Sequence, residues 1–134
     1  MRFLQGLIFV VLNVSLVGGY CFAMVGKLEP LKFHPEKFVI LPLMVITAVV
    51  AAFLYPVLRR HPSRSIQALL LYPGFLLIAA LYGILLWVQF PDGSPWSIFL
   101  ALIGAHLYGW PVFVAVLVCH YLFGRWLFGP STGA

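Results

Sequence analysis

Four stretches of the chain, Phe3 to Met24, Phe38 to Leu58, Ile66 to Phe90 and Ser97 to Phe123, contain no Asp, Glu, Lys or Arg. Each is long enough to cross a hydrocarbon core of about 30 Å, which takes about 20 mostly apolar residues in a helix. Within lipid the backbone must satisfy its own polar groups, and a continuous apolar run does so by forming a helix. Composition points the same way. Hydrophobic residues make up 63% of the sequence and charged residues only 8%, against about 25% charged in ordinary globular proteins. A soluble domain of 134 residues keeps too much of its area exposed to hide that apolar surface. The expectation is an all-α integral membrane protein, a four-transmembrane-helix bundle with short loops. Residues 1–134 would form one transmembrane domain.

The charges then read as topology signals. Four spans place both termini on one side, together with the turn around residues 59–65. That side carries Arg2, Arg59, Arg60, Arg64 and Arg125 and no acid, while Lys27, Lys32 and Lys37 on the other side are balanced by Glu29, Glu36 and Asp92. Basic residues accumulate on the cytoplasmic side of membrane proteins, so both termini are expected there, in a bacterial inner (cytoplasmic) membrane. A pI near 9.6 does not imply nucleic acid as a partner, because no basic stripe alternates with exposed aromatics. The first run follows Met-Arg but is longer than a signal-peptide core and has no clear A-x-A site, so it is expected to be a retained helix.

Smaller signals fit this frame. Ser94-Pro95 suits an N-cap followed by proline at the first helical position, and Trp87, Trp96 and Trp126 suit interfacial belts. Cys21 and Cys119 would lie in opposite leaflets, beyond the reach of about 7 Å that a disulfide allows.

Membrane helices associate through close packing of small residues rather than through the hydrophobic effect. Ala101, Ala105 and Gly109 form such a stripe in the fourth run, with Ala48 and Ala52 in the second and Ala79 and Gly83 in the third. These are expected helix-packing faces, serving this chain's own bundle before any partner. Pro73 and Pro111 are expected to kink the third and fourth spans and to mark a cavity, because proline frees the carbonyl four residues earlier.

No carboxylate or lysine lies inside a span, which disfavours ion- or proton-coupled transport. No catalytic motif is present either, and the chain is expected not to be an enzyme. His106 and His120 lie 14 positions apart, which on an unbroken helix leaves them within about 40° of one face and about 21 Å apart along the axis. That is the spacing of two stacked haem b ligands, with His34 and His61 as loop partners. The simpler expectation is no cofactor and no metal, with His106 bonded to a neighbouring carbonyl or hydroxyl and His120 at the inner interface beside Tyr121. Asn13, deepest of the polar residues, is expected to be structural glue between helices. Arg59, Arg60, Arg64 and Arg125 are expected to contact lipid headgroups or an acidic partner, each with about 1 kcal/mol of attraction to anionic lipid.

Three functions are compatible with this reading. The leading one is a non-enzymatic subunit or interaction partner of a larger membrane assembly, in contact with membrane lipids and with other subunits or itself. The second is a small oligomeric transporter or lipid-handling protein. The third is a b-type haem electron-transfer membrane anchor using His106 and His120.

Overall fold

A computed structural model describes residues 2–26, 40–61, 63–89 and 94–129. The chain is all-helical there, with five helices in the order α1 (Arg2–Gly26), α2 (Leu41–Arg60), α3 (Arg64–Gln89), α4 (Trp96–Tyr108) and α5 (Trp110–Phe128). Four of them, α1, α2, α3 and α5, are long and apolar enough to cross a membrane. Lys27, His34 and the rest of residues 27–39 lie outside the described residues, as do Phe90 and Asp92.

The first three helices follow the apolar runs. Several boundaries extend further than those runs, α1 by a residue or two at each end. α2 continues through Arg59 and Arg60, and α3 begins at Arg64 rather than at Ile66. Long arginine side chains keep their stems on an apolar helix while the head reaches polar groups, so a helix end tolerates them. Pro73 sits inside α3, which stays helical on both sides of it, and Pro56 sits likewise inside α2.

The fourth run differs from the expected single span. It breaks at Gly109 into α4, of 13 residues, and α5, of 19 residues. The cause is local chemistry. Pro111 has no N–H to offer the carbonyl of Leu107, and its ring crowds that carbonyl. At the break Gly109 N bonds Ala105 O at 2.8 Å, and Phe113 N bonds Gly109 O at 3.2 Å to start the next helix. Pro111 then falls in the first turn of α5, where a missing donor costs little. At about 1.5 Å per residue α4 is roughly 20 Å long, too short to span by itself. The Ser94 cap is also not formed by its side chain: α4 begins with backbone bonds from Ser97 N to Ser94 O and from Ile98 N to Pro95 O.

Neighbouring helices run antiparallel. Gly6 meets Tyr55 and Gly18 meets Met44 along α1 and α2, and Gly74 meets Leu54 between α3 and α2. α5 returns beside α1, so that Gln5 reaches Trp126 while Tyr20 reaches Tyr108. α1, α2, α3 and α5 thereby surround one interior. α4 lies along the C-terminal part of α3, where Gly83 approaches Ile98 and Ala101. The densest packing is at the end where α5 finishes, formed by Phe9, Tyr55, Leu58, Leu71, Leu127 and Phe128. Three of these rings close on one another, with centroids 5.5 Å apart for Phe9 and Tyr55, 5.6 Å for Phe9 and Phe128, and 5.3 Å for Tyr55 and Phe128. Such pairs contribute about 0.5–1.5 kcal/mol beyond their area.

Candidate functional site

All charged side chains among the described residues are arginines, and all stand at the end of the bundle where α2 and α5 finish. Two of them are turned to the last turn of α5. A helix leaves its final carbonyls without intrahelical donors, and cations near that end are favourable. Tyr55 Oη donates to Leu127 O at 2.7 Å and accepts from Arg59 Nη1 at 2.8 Å. The same Nη1 donates to Gln5 Oε1 at 3.0 Å and stands 3.4 Å from Leu127 O. Gln5 Nε2 takes Trp126 O at 2.8 Å. Arg64 donates through Nη2 to Gly129 O at 2.6 Å and through Nη1 to Gln67 Oε1 at 2.8 Å. Its guanidinium also lies 5.9 Å from the centroid of the Phe128 ring.

Gly124 makes room for Arg64. A Cβ there would stand 2.9 Å from Nη1 and 3.0 Å from Cζ. Gln67, only 1% exposed, closes the α2–α3 turn by donating from Nε2 to Leu58 O at 3.0 Å and His61 O at 2.7 Å. Of the four arginines expected to meet headgroups or a partner, Arg59 and Arg64 are thus engaged within the chain. Arg60 and Arg125 are exposed.

His106 and His120 sit on separate helices, one on each side of the Gly109 break, so the angular relation of an unbroken helix does not apply to them. His106 is exposed on α4 and has both ring nitrogens engaged. Nδ1 lies 2.7 Å from Leu102 O, and since a carbonyl only accepts, Nδ1 carries the proton. Nε2 is then the acceptor for Tyr72 Oη, also at 2.7 Å. Around this pair Tyr72, Phe75, His106 and Phe113 pack ring on ring, with Phe75 and Phe113 5.2 Å apart. Tyr20 Oη donates to Tyr108 O beside the break. His120 is buried on α5, with Nε2 at a long 3.4 Å from Arg64 O.

The residues just after the two expected kink prolines line a cavity of about 50 Å³ between α1, α2, α3 and α5. Gly74 and Phe75 follow Pro73, and Val112 and Phe113 follow Pro111; Asn13 and Thr47 are its polar lining. Thr47 Oγ1 bonds Leu43 O at 2.7 Å and Asn13 Nδ2 bonds Phe9 O at 2.8 Å. Asn13 Nδ2 therefore serves its own helix rather than a neighbour.

The small residues divide between inside and outside. Gly83 is the tightest point: a Cβ there would stand 2.6 Å from Ile98 Cα, 2.9 Å from Ser97 O and 3.1 Å from Ala101 Cβ. A Cβ on Gly109 would stand 3.4 Å from the Phe75 ring. Ala79 is buried, Ala48 and Ala105 are half-buried and Ala52 is exposed. A stripe that sequence reasoning passed over lies outside the bundle. Ser15, Gly19 and Ala23 recur at every fourth position of α1, all three exposed, and a Cβ on Gly19 would meet nothing within 4 Å. Its four-residue spacing was the available signal.

Among the described residues no group of three or more His, Cys, Asp or Glu is placed to hold a metal ion. Comparison with family models, with characterised proteins and with solved structures found no match to this chain. The geometry defines a class: an all-helical chain with four helices long and apolar enough to cross a membrane, tied at one end by arginines.

Proposed function

We propose that the chain is a small non-enzymatic integral membrane protein that acts as a subunit or interaction partner of a larger membrane assembly. In this reading the arginine end, with both termini, faces the cytoplasm of a bacterial inner membrane. The observation that carries the reading is the placement of α4. None of its 13 residues is buried, it lies against α3, and a Cβ on its Gly104 would meet nothing within 4 Å. Helix interfaces in membranes are enriched in small residues that let two backbones approach closely, and Gly104 leaves room for such an approach. The outer stripe Ser15, Gly19 and Ala23 on α1 adds a second flank of this kind. Arg60 and Arg125, both exposed, are the side chains left for headgroups or for an acidic partner.

The test is purification of the tagged chain from its native host in mild detergent, with mass spectrometry of what accompanies it. A stoichiometric larger membrane protein, lost on Gly104→Leu or Gly19→Leu, is the expected result. A chain that emerges alone from several mild detergents overturns the subunit reading.

A second reading, a small oligomeric transporter or lipid-handling protein, draws on the cavity of about 50 Å³ beside the Gly109 break. Bound lipid or solute recovered with a self-associated chain, and with no other protein, favours it.

A further inference from the structure

One buried polar atom among the described residues has no protein partner: Nδ1 of His120. His120 is 4% exposed, so open solvent does not reach the ring. The other ring nitrogen fixes the chemistry of this one. Nε2 faces the carbonyl of Arg64 at 3.4 Å, and a carbonyl only accepts, so Nε2 carries the proton. In a neutral imidazole one nitrogen donates and the other accepts. Nδ1 is therefore a lone pair, buried, requiring a donor. Leaving such an acceptor unmatched costs about 1–3 kcal/mol.

His120 lines a small cavity of about 10 Å³ between α1, α3 and α5. That is about the space one water molecule needs, and a buried water also needs two or more polar partners. A second partner lines the same cavity. Asn13 commits its Nδ2 to Phe9 O, which leaves Oδ1 as an acceptor. The remaining lining, including Phe9, Leu71, Cys119 and Leu127, is apolar or weakly polar. His120 and Asn13 line the same cavity with one acceptor each to satisfy, and a molecule that brings two hydrogens suits both.

We propose that this cavity is a built site for a single water molecule, donating one hydrogen to His120 Nδ1 and the other to Asn13 Oδ1. The water ties α5 to α1 at a depth where neither residue reaches a protein partner on the other helix. It also assigns Asn13 a place between helices, although its amide nitrogen serves its own turn. The larger cavity of about 50 Å³ shares Phe9, Asn13, Leu71 and Val116 with this one. Thr47 in its lining already donates to Leu43 O, so that space presents few polar partners and is apolar in character. The site thus holds one water at the edge of an apolar space and is not part of a continuous file.

The experiment is NMR of the whole chain in nanodiscs with deuterated lipid acyl chains, labelled with ¹⁵N-histidine. Long-range proton–nitrogen correlation reads the tautomer, and magnetisation transfer from water reads proximity to the His120 ring. His120→Gln assigns the signals. The expected result is an Nε2–H tautomer at His120, a water cross-peak to its Hε1 proton, and loss of that cross-peak in Asn13→Leu with the tautomer unchanged. An Nδ1–H tautomer overturns the proposal, as does a His120 ring with no water cross-peak. A cross-peak of full intensity in a folded Asn13→Leu protein overturns the two-acceptor site. The wild-type spectrum decides the tautomer and the water even if that variant fails to fold.

Discussion

Tyr55 donates its phenolic proton to the carbonyl of Leu127, 72 positions away in sequence, across 2.7 Å. The same oxygen receives Arg59 Nη1 at 2.8 Å, so one hydroxyl joins α2 to the end of α5 and to the arginine beside it. Tyr55 is 7% exposed, which makes this a shielded three-part network.

Tyr55→Phe keeps the ring contacts with Phe9 and Phe128 and removes only the oxygen. Leu127 O then retains Arg59 at 3.4 Å alone. The expected loss is about 1–3 kcal/mol, the cost of leaving a buried acceptor poorly matched. Unfolding in mixed micelles by added SDS, followed through tryptophan fluorescence, measures it. A change well under 1 kcal/mol would mean that the network is not formed.

Gly83→Ala places a methyl against backbone, since Ile98 Cα and Ser97 O stand at 2.6 and 2.9 Å from the new Cβ. Neither is the end of a flexible side chain, so α4 itself has to move. Overpacking of this kind costs about 1–3 kcal/mol. Distances between spin labels on α3 and α4 should lengthen, while those between α1 and α2 hold.

Gly124→Ala meets the guanidinium of Arg64 first, which can shift, so a small effect of a few tenths of a kcal/mol is expected. Gly124→Leu fills the seat and drives the guanidinium away from Gly129 O and Phe128. Its cost should shrink in an Arg64→Ala background, because the two changes share one contact. Equal costs in both backgrounds would separate Gly124 from Arg64.

Pro111→Ala is expected to change stability by less than about 1 kcal/mol, because proline in the first turn of a helix gives up a donor that has no intrahelical partner there. A gain near the 3 kcal/mol that proline costs mid-helix would instead mean that α4 and α5 are one strained helix. The same SDS titration reads the difference, and circular dichroism reports any added helix.

How much of this was legible in the sequence depended on which physical signal each residue carried. The apolar runs announced α1 to α3 because length and absence of charge are set by bilayer thickness. Pro111 and Pro73 were read alike as kinks, yet only the first lies at a break. The difference is Gly109 two residues earlier, at the C-cap of α4, where a Cβ would stand 3.4 Å from the Phe75 ring. Arg59 and Arg64 were read as outward charges, since sequence gives their depth along a helix and not the carbonyls that α5 brings to them. Ser15, Gly19 and Ala23 carried the same spacing as Ala101, Ala105 and Gly109. Spacing alone does not tell an inner face from an outer one.

The arginine clasp also imposes an order of assembly. Its donors, Gln5, Tyr55, Arg59 and Arg64, are made early, whereas the acceptors Trp126, Leu127 and Gly129 at the end of α5 are the last to be made among the described residues. Chains emerge from the ribosome from the N-terminus onward, so α1 to α3 are made before the carbonyls that take those donors. The clasp closes only when the final turn of α5 arrives. A chain stopped short of that turn lacks the carbonyls to which Tyr55 and Arg64 donate.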